Sequence, residues 1–244
     1  MKIIIALLRT LTLLILLFTL GIVIMAQEET SEPEIIPEAT AEPVTEINYT
    51  MIPQRQREDG AFVLGEEEAI LTVIIFSDFL CVDCAEYAPT ITRFIENYVI
   101  EGLAQIEYRL FPVTGENSSS FAQLAECAGK QDAFWEARAW LFQQFSDIEQ
   151  PESGNIPALP TIDETLFITE LQLDEDDFEQ CLVDASQYLT DSLLAVEIDV
   201  ISTPAVMFRL NDSPPQWVRV NGEIFNEGGL SYELLELAVE ATNH

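Results

Sequence analysis

The chain has 244 residues, 48% of them apolar, with 10 Lys plus Arg against 43 Asp plus Glu, one His and four Cys; this is room for a signal segment, a linker and one domain of ordinary size. A formal net charge of −33 excludes nucleic acid as a partner, since phosphate backbones are held by Lys and Arg, and it disfavours anionic membrane surfaces for the same reason. The single His is His244, which rules out serine or cysteine triads, His-ligated zinc and haem with a proximal His, and leaves thiol, carboxylate or binding chemistry.

Residues 1–26 carry Lys2 and Arg9 early, then run without charge from Thr10 to Ala26 before the acidic stretch that opens at Gln27. A charged start, an apolar stretch and a small residue at the exit describe an export signal. The apolar stretch, about 17 residues long, also reaches the lower limit for spanning a bilayer, so an uncleaved anchor stands beside a cleaved signal. Either places the rest of the chain outside the cytoplasm, because the positive residues precede the apolar run. Residues 27–60 are rich in Glu, Pro and Thr and predict an extended acidic tether. Asn48-Tyr49-Thr50 and Asn117-Ser118-Ser119 match the glycosylation acceptor pattern, a triplet common by chance.

The domain is expected over residues 61–244. Ala69 to Phe76 (AILTVIIF) is a nearly continuous apolar run with β-branched residues, as in a strand buried on both faces. After SDFLCVDC, Ala85, Ala88, Ile91, Phe94, Ile95 and Tyr98 recur at three and four, an amphipathic helix stopped by Gly102. Ala104 to Phe111 alternates apolar and polar up to Pro112, a second strand, and the three elements make a βαβ unit. One broad apolar face spans about Ser120 to Phe145, a loop covers 146–161, and short helices follow over 163–170, 174–184 and 186–197, the second capped by Asp174. Strands return over 205–210 and 217–220. Asn221-Gly222 signals a turn before Glu223 to Phe225, and a helix closes the chain over 231–241.

Cys81-Val82-Asp83-Cys84 stands between a buried strand and a helix, and this placement gives the motif its meaning. A thiol in the first helical turn sees unpaired backbone N–H groups and the positive end of the helix dipole, both of which favour thiolate. The two-residue spacing lets the sulfurs meet, with Cys81 as exposed nucleophile and Cys84 as the more buried resolving thiol. A zinc half-site would require a second close pair of ligands, which Cys127 and Cys181 do not form. An inert Cys81–Cys84 bridge is the other alternative. Cys127 and Cys181 each lie on the apolar side of a predicted helix. In an oxidising compartment a bridge between them would close a loop worth about 4 kcal/mol in the chain-entropy model; two free buried thiols are the alternative, and four cysteines allow three pairings. Ser202-Thr203-Pro204 precedes the strand AVMFRL, an ordinary place for Pro.

The segments GAFVLGEEEAILTVIIFSDFLCVDC, AECAGKQDAFWEARAWLF, FEQCL and STPAVMF, in this order and spacing, resemble the DsbA-like branch of the thioredoxin superfamily from about Gly60 to Ala241. The resemblance implies an α/β thioredoxin fold with a helical insertion, about 112–200, between its βαβ and ββα halves. It also implies a cis Thr203–Pro204 bond beside the dithiol, with the backbone around Thr203 binding an extended client segment as an added strand. Similar extracytoplasmic members often carry a second bridge in the insertion, which fits Cys127 with Cys181. The implied activity is thiol-disulfide exchange by Cys81 and Cys84 with cysteine-containing exported polypeptides, which requires no organic cofactor or metal; the single-domain reading gives no reason to invoke a dimer, so a monomer is expected. An inner-membrane redox partner, of the vitamin K epoxide reductase type found with similar proteins, would recycle it. A disulfide reductase or isomerase, and a non-catalytic binding module on the same frame, are the alternatives.

Two positions depart from the family. Strongly oxidising relatives have His where this chain has Asp83, and a carboxylate within about 6 Å of the Cys81 sulfur opposes its thiolate by roughly 1 kcal/mol at an effective dielectric near 40. Val82 and Asp83 are thus the tuning positions, and Asp83 predicts a less oxidising couple. Thioredoxin relatives also commonly bury a carboxylate six residues before the first Cys, to move protons for the resolving thiol; here that residue is Ile75. Asp78 is nearer, with hydrogen bonding in the strand-to-helix turn as its expected role. Phe79, Trp135, Trp140 and Phe208 are candidates for a peptide groove, although helical spacing makes the core the expected place for both Trp residues.

Overall fold

The structure, a computed structural model, describes residues 47–115, 117–146, 162–220 and 222–243. The expected signal or anchor (1–26), the linker up to Glu46 and most of the loop over 146–161 lie outside the described residues. Among the described residues seven strands form one sheet: β1 (Gln54–Gln56), β2 (Phe62–Leu64), β3 (Leu71–Ser77), β4 (Ala104–Leu110), β5 (Ala205–Leu210), β6 (Gln216–Val220) and β7 (Glu223–Phe225). Their order is β1-β2-β4-β3-β5-β6-β7. Among these strands β3 and β4 alone pair parallel, from Leu71 opposite Ala104 to Ser77 opposite Leu110; the other neighbours are antiparallel. A parallel pair needs a crossover, and α1 (Val82–Phe94), prolonged by a π-helical turn over Ile95–Val99, supplies it.

The insertion between β4 and β5 holds α2 (Ser118–Gly129), α3 (Phe134–Ser146), α4 (Glu164–Glu170), α5 (Glu175–Asp184) and α6 (Gln187–Glu197), and α7 (Tyr232–Thr242) closes the chain. Where one apolar face over Ser120 to Phe145 suggested a continuous helix, the chain breaks after Gly129. Asp132 takes a left-handed φ of 60°, which Asp tolerates better than most residues, so α3 folds back along α2. Gly129 sits against the Phe62 ring, which a Cβ would approach to 2.3 Å, and Phe62 stacks on Phe134 at 3.9 Å between centroids. Cys127 of α2 and Cys181 of α5 form a disulfide with their Cα atoms 5.6 Å apart, which removes the two thiols that a four-cysteine zinc site would have needed.

The tether expected to reach Gly60 gives way to folded chain earlier. Tyr49 and Ile52 are buried and β1 pairs with β2 from Gln54 opposite Leu64 to Gln56 opposite Phe62. The polar side of β4 is a second difference. Glu107 and Arg109, which alternation assigns to solvent, are each 1% exposed. Arg109 bridges to Asp191 of α6 at 3.1 Å and to Asp59 at 2.8 Å, Glu107 bridges to Arg109 and Arg209, and the Leu110 N–H donates to Asp191 at 2.9 Å. Buried charges persist only when paired and hydrogen-bonded, and these pairs seat α6 on the sheet. Burial pushes Asp191 up to about 6 even with the Arg109 guanidinium beside it.

Candidate functional site

The site is built where β3 ends. Asp78, the first residue beyond the strand, is buried and accepts from the backbone N–H groups of Leu80 at 2.9 Å and of Val113 and Thr114, each at 2.7 Å, and from the Ser118 hydroxyl. Four donors on one carboxylate tie the β3–α1 turn to the start of the insertion, the hydrogen-bonding role expected of it. The Cys81 N–H donates to the Asp78 carbonyl at 3.2 Å, which sets Cys81 as the N-cap of α1 with extended φ/ψ of −82° and 121° and a side chain that makes no capping bond. The sulfur is therefore free for chemistry at the positive end of the helix.

Strand register brings the third element in. Phe76 pairs with Ala205 on the antiparallel β5, so the residues just before Ala205 arrive beside the end of β3. The Thr203–Pro204 bond is cis, and the Cys81 thiol lies 3.2 Å from the Thr203 carbonyl, to which it donates. Residues 122 positions apart thus share one contact.

The environment separates the two thiols. The Cys81 thiol is lowered to about 6, first by a hydrogen bond from the Cys84 thiol, opposed by partial burial, and further by the Thr203 side chain and the backbone N–H groups of Cys84 and Asp83. Cys84, 2% exposed, moves the other way: burial and its hydrogen bond to Cys81 push it far up, while the Asp78 N–H and the Ser77 hydroxyl act against that rise. A half-exposed thiol whose value is lowered, beside a buried thiol whose value is raised, is an arrangement in which one sulfur can attack while the other waits.

Val82 and Asp83 are both exposed. Asp83 acts on Cys81 through its backbone N–H, which favours the thiolate; its carboxylate stands in water, where a charge is well screened. Phe79, Trp135 and Trp140 are buried: Phe79 packs on Tyr108 and Phe142, Trp135 on Tyr108 and Phe134, and Trp140 on Phe167. Phe208 is half-buried against the core. Ile75 is buried, as an apolar residue at that place must be. Residues that sequence reasoning passed over are Ser77, Tyr108 and Arg138, grouped beneath Cys84. The alternation of β4 put Tyr108 on its apolar side, and no local signal reveals what its hydroxyl meets.

A family model described as Thioredoxin matches residues 57–210. The curated protein named "Probable disulfide bond formation protein D" from Bacillus cereus is 28% identical over 164 residues, covering 67% of this chain and 71% of that protein. Among solved structures, alpha-DsbA1 of Wolbachia pipientis superposes with a TM-score of 0.58 at 19% identity, covering 77% of this chain and 92% of that one. BdbD of Bacillus subtilis gives 0.55 at 20%, covering 74% and 91%.

Proposed function

We propose, from the premise that this chain belongs to the thioredoxin family, that it is an extracytoplasmic protein thiol-disulfide oxidoreductase acting on cysteines of exported polypeptides. The observation that carries the reading is the meeting of Cys81, with its thiol lowered to about 6, and the Thr203 backbone at 3.2 Å beside a cis proline. A client strand hydrogen-bonded along Thr203 would hold its own cysteine against the Cys81 sulfur.

Acting as an oxidant, the Cys81–Cys84 disulfide is attacked at the Cys81 sulfur by a client thiolate. The Cys81–Cys84 bond breaks, Cys84 leaves with the electron pair and takes up a proton, and a mixed disulfide joins Cys81 to the client. A second client thiolate then attacks the client sulfur of that bond and releases Cys81 as a thiolate. Two electrons have passed to the protein. A mixed disulfide that stalls is cleared by Cys84, whose thiolate attacks Cys81 and frees the client.

The low Cys81 value favours departure of this sulfur as thiolate and so supports the oxidising direction. Export is supported by the charge pattern of residues 1–26 and by the Cys127–Cys181 bridge, a feature typical of oxidising compartments. Among the described residues no helix is long and apolar enough to cross a membrane. A membrane redox partner, of the vitamin K epoxide reductase type, would restore the active disulfide, with the chain working as a monomer. Trapping tests the function directly: a Cys84→Ser variant should accumulate mixed disulfides with client cysteines at Cys81. A Cys81 that alkylates no faster at pH 7 than a free thiol would refute the reading.

A further inference from the structure

Beside α7 the chain leaves an apolar groove that the exchange steps above do not use. β6 is in register with β5 at Trp217 and Gln216, and from Val218 to Val220 it pairs with β7. The β6–β7 hairpin thus parts from β5, and a groove of about 750 Å³ opens between the hairpin, α7 and the strand ends at Leu71 and Leu210. Those two residues are paired at the start of β3, whereas Cys81 follows its other end. Phe208 lines the groove from β5, Trp217 and Ile224 from the hairpin, and Leu234 and Leu237 from α7. Leu210, Ile224 and Leu237 are 48%, 44% and 56% exposed. One exposed apolar residue is ordinary; three converging on one concave surface are the mark of a binding site.

Charge narrows what fits there. Acidic residues outnumber basic ones 43 to 10 in this chain, yet among the described residues no carboxylate lines the groove, and its one charged lining residue is Arg219. Arg219 makes no ion pair among the described residues. Its guanidinium donates one long hydrogen bond, to the Gly222 carbonyl at 3.5 Å. A planar guanidinium with donors to spare matches a carboxylate, which it holds through two parallel N–H···O bonds. The groove therefore complements an apolar body that carries one anionic head. Its volume falls within the roughly 300–1,000 Å³ of small-molecule sites. An anionic bilayer is a poorer match, since it would set many negative charges against an acidic protein and a single arginine.

We propose that this groove binds one long-chain carboxylate as a monomer, with the alkyl chain against Phe208, Trp217, Leu234 and Leu237 and the head on Arg219. Burial of the chain supplies the affinity, and the arginine selects the sign of the head and sets which way the ligand lies. No covalent bond changes and the dithiol takes no part, so the inference stands independently of the exchange reading.

The chain has three Trp, and Trp135 and Trp140 are buried in the insertion, so Trp217 is the one that a ligand in the groove touches. Titrating the full chain with dodecanoate, kept below its micelle concentration, should give a saturable change in tryptophan emission that Trp217→Phe abolishes. Decanoate should bind roughly tenfold more weakly for the two methylenes it lacks. Arg219→Gln should weaken dodecanoate by about twofold to fivefold, the range of an exposed ion pair, and leave 1-decanol unchanged. If Trp217→Phe fails to fold, calorimetry on Arg219→Gln, whose side chain is exposed, decides alone. An emission change that neither saturates nor depends on chain length overturns the proposal, as does dodecyltrimethylammonium binding as tightly as dodecanoate. Two other results also overturn it by giving the groove to another occupant. One is capture by phosphatidylglycerol vesicles without binding of the monomer; the other is a sedimenting dimer that Leu237→Glu breaks and dodecanoate does not.

Discussion

The molecule holds two cysteine pairs, and they differ in everything except their element. Cys127 and Cys181 join α2 to α5 as a disulfide, with Cys127 fully buried. Cys81 and Cys84 sit one helical turn apart at the start of α1, one half-exposed and one buried, with both sulfurs free. The first pair lies where helix packing alone would bring its Cα atoms to bridging distance. The second lies where a helix N-terminus, a neighbouring strand end and a buried floor each act on the sulfurs. The contrast teaches that a thiol's chemistry here is decided by what can reach it and what shares its charge; the number of cysteines decides nothing.

The comparison breaks most sharply on deletion. Cys81→Ser should abolish exchange with a model client thiol, to the level of buffer, and below about pH 6, where the Cys81 thiolate adds no stability, should barely move the melting temperature, because the site is half-exposed and the change is one atom. The double change Cys127→Ser with Cys181→Ser should do the reverse. Its expected cost is about 2–5 kcal/mol of stability, read as a lower midpoint in denaturant, with alkylation of Cys81 at pH 7 still fast at low temperature. Loss of exchange from the insertion variant while it remains folded would show that the two pairs are one functional unit.

How much of this was legible in the sequence follows the range of the forces involved. Period and turn chemistry located β3, α1, β4 and the return to strands at Ala205, because burial on one face repeats within a window. The folded stretch from Ile47 was hidden: Gln54-Arg55-Gln56 reads as a polar tether, and its strand exists because β2 offers an edge to pair with. The burial of Glu107 and Arg109 was hidden for a similar reason. Asp59, Asp191, Arg57 and Arg209, brought from distant segments, let them be buried. At the site, Cys81, Cys84, Thr203 and Pro204 stood out as motif positions, and the family resemblance suggested their meeting. The polar floor of Ser77, Tyr108 and Arg138 carried no local signal, since its meaning arises from the packing of α3 over the sheet.

A finer test lies within the free-thiol pair. The first cause of the low Cys81 value is the hydrogen bond from Cys84, so Cys84→Ala should raise the midpoint of Cys81 alkylation from about 6 toward the ordinary thiol value, by roughly one pH unit or more. The sign follows from linkage. A group whose value is lowered in the folded state stabilises the reduced protein above the unfolded thiol value, and this contribution fades as pH falls through about 6. The variant should therefore lose part of its pH-dependent stability between about pH 6 and 9. An unmoved midpoint would assign the low value to the helix end and Thr203 instead.

The smallest expected effect concerns Asp83. In water-like surroundings a unit charge about 6 Å from the Cys81 sulfur is worth roughly 0.7 kcal/mol, less than the roughly 1 kcal/mol a drier site would give, because the side chain is exposed. Asp83→His removes that negative charge and adds a partial positive one below neutral pH. The reduced form should gain between about 0.7 and 1.4 kcal/mol, a rise in reduction potential of roughly 15–30 mV, together with a lower Cys81 midpoint. The backbone N–H that Asp83 turns toward Cys81 survives the substitution, so the shift isolates the side chain. Raising the salt should shrink the difference between the two proteins. A glutathione titration giving the same potential for both would mean that the thiolate is set by backbone and Cys84 alone, and that the tuning position of this motif is electrostatically silent.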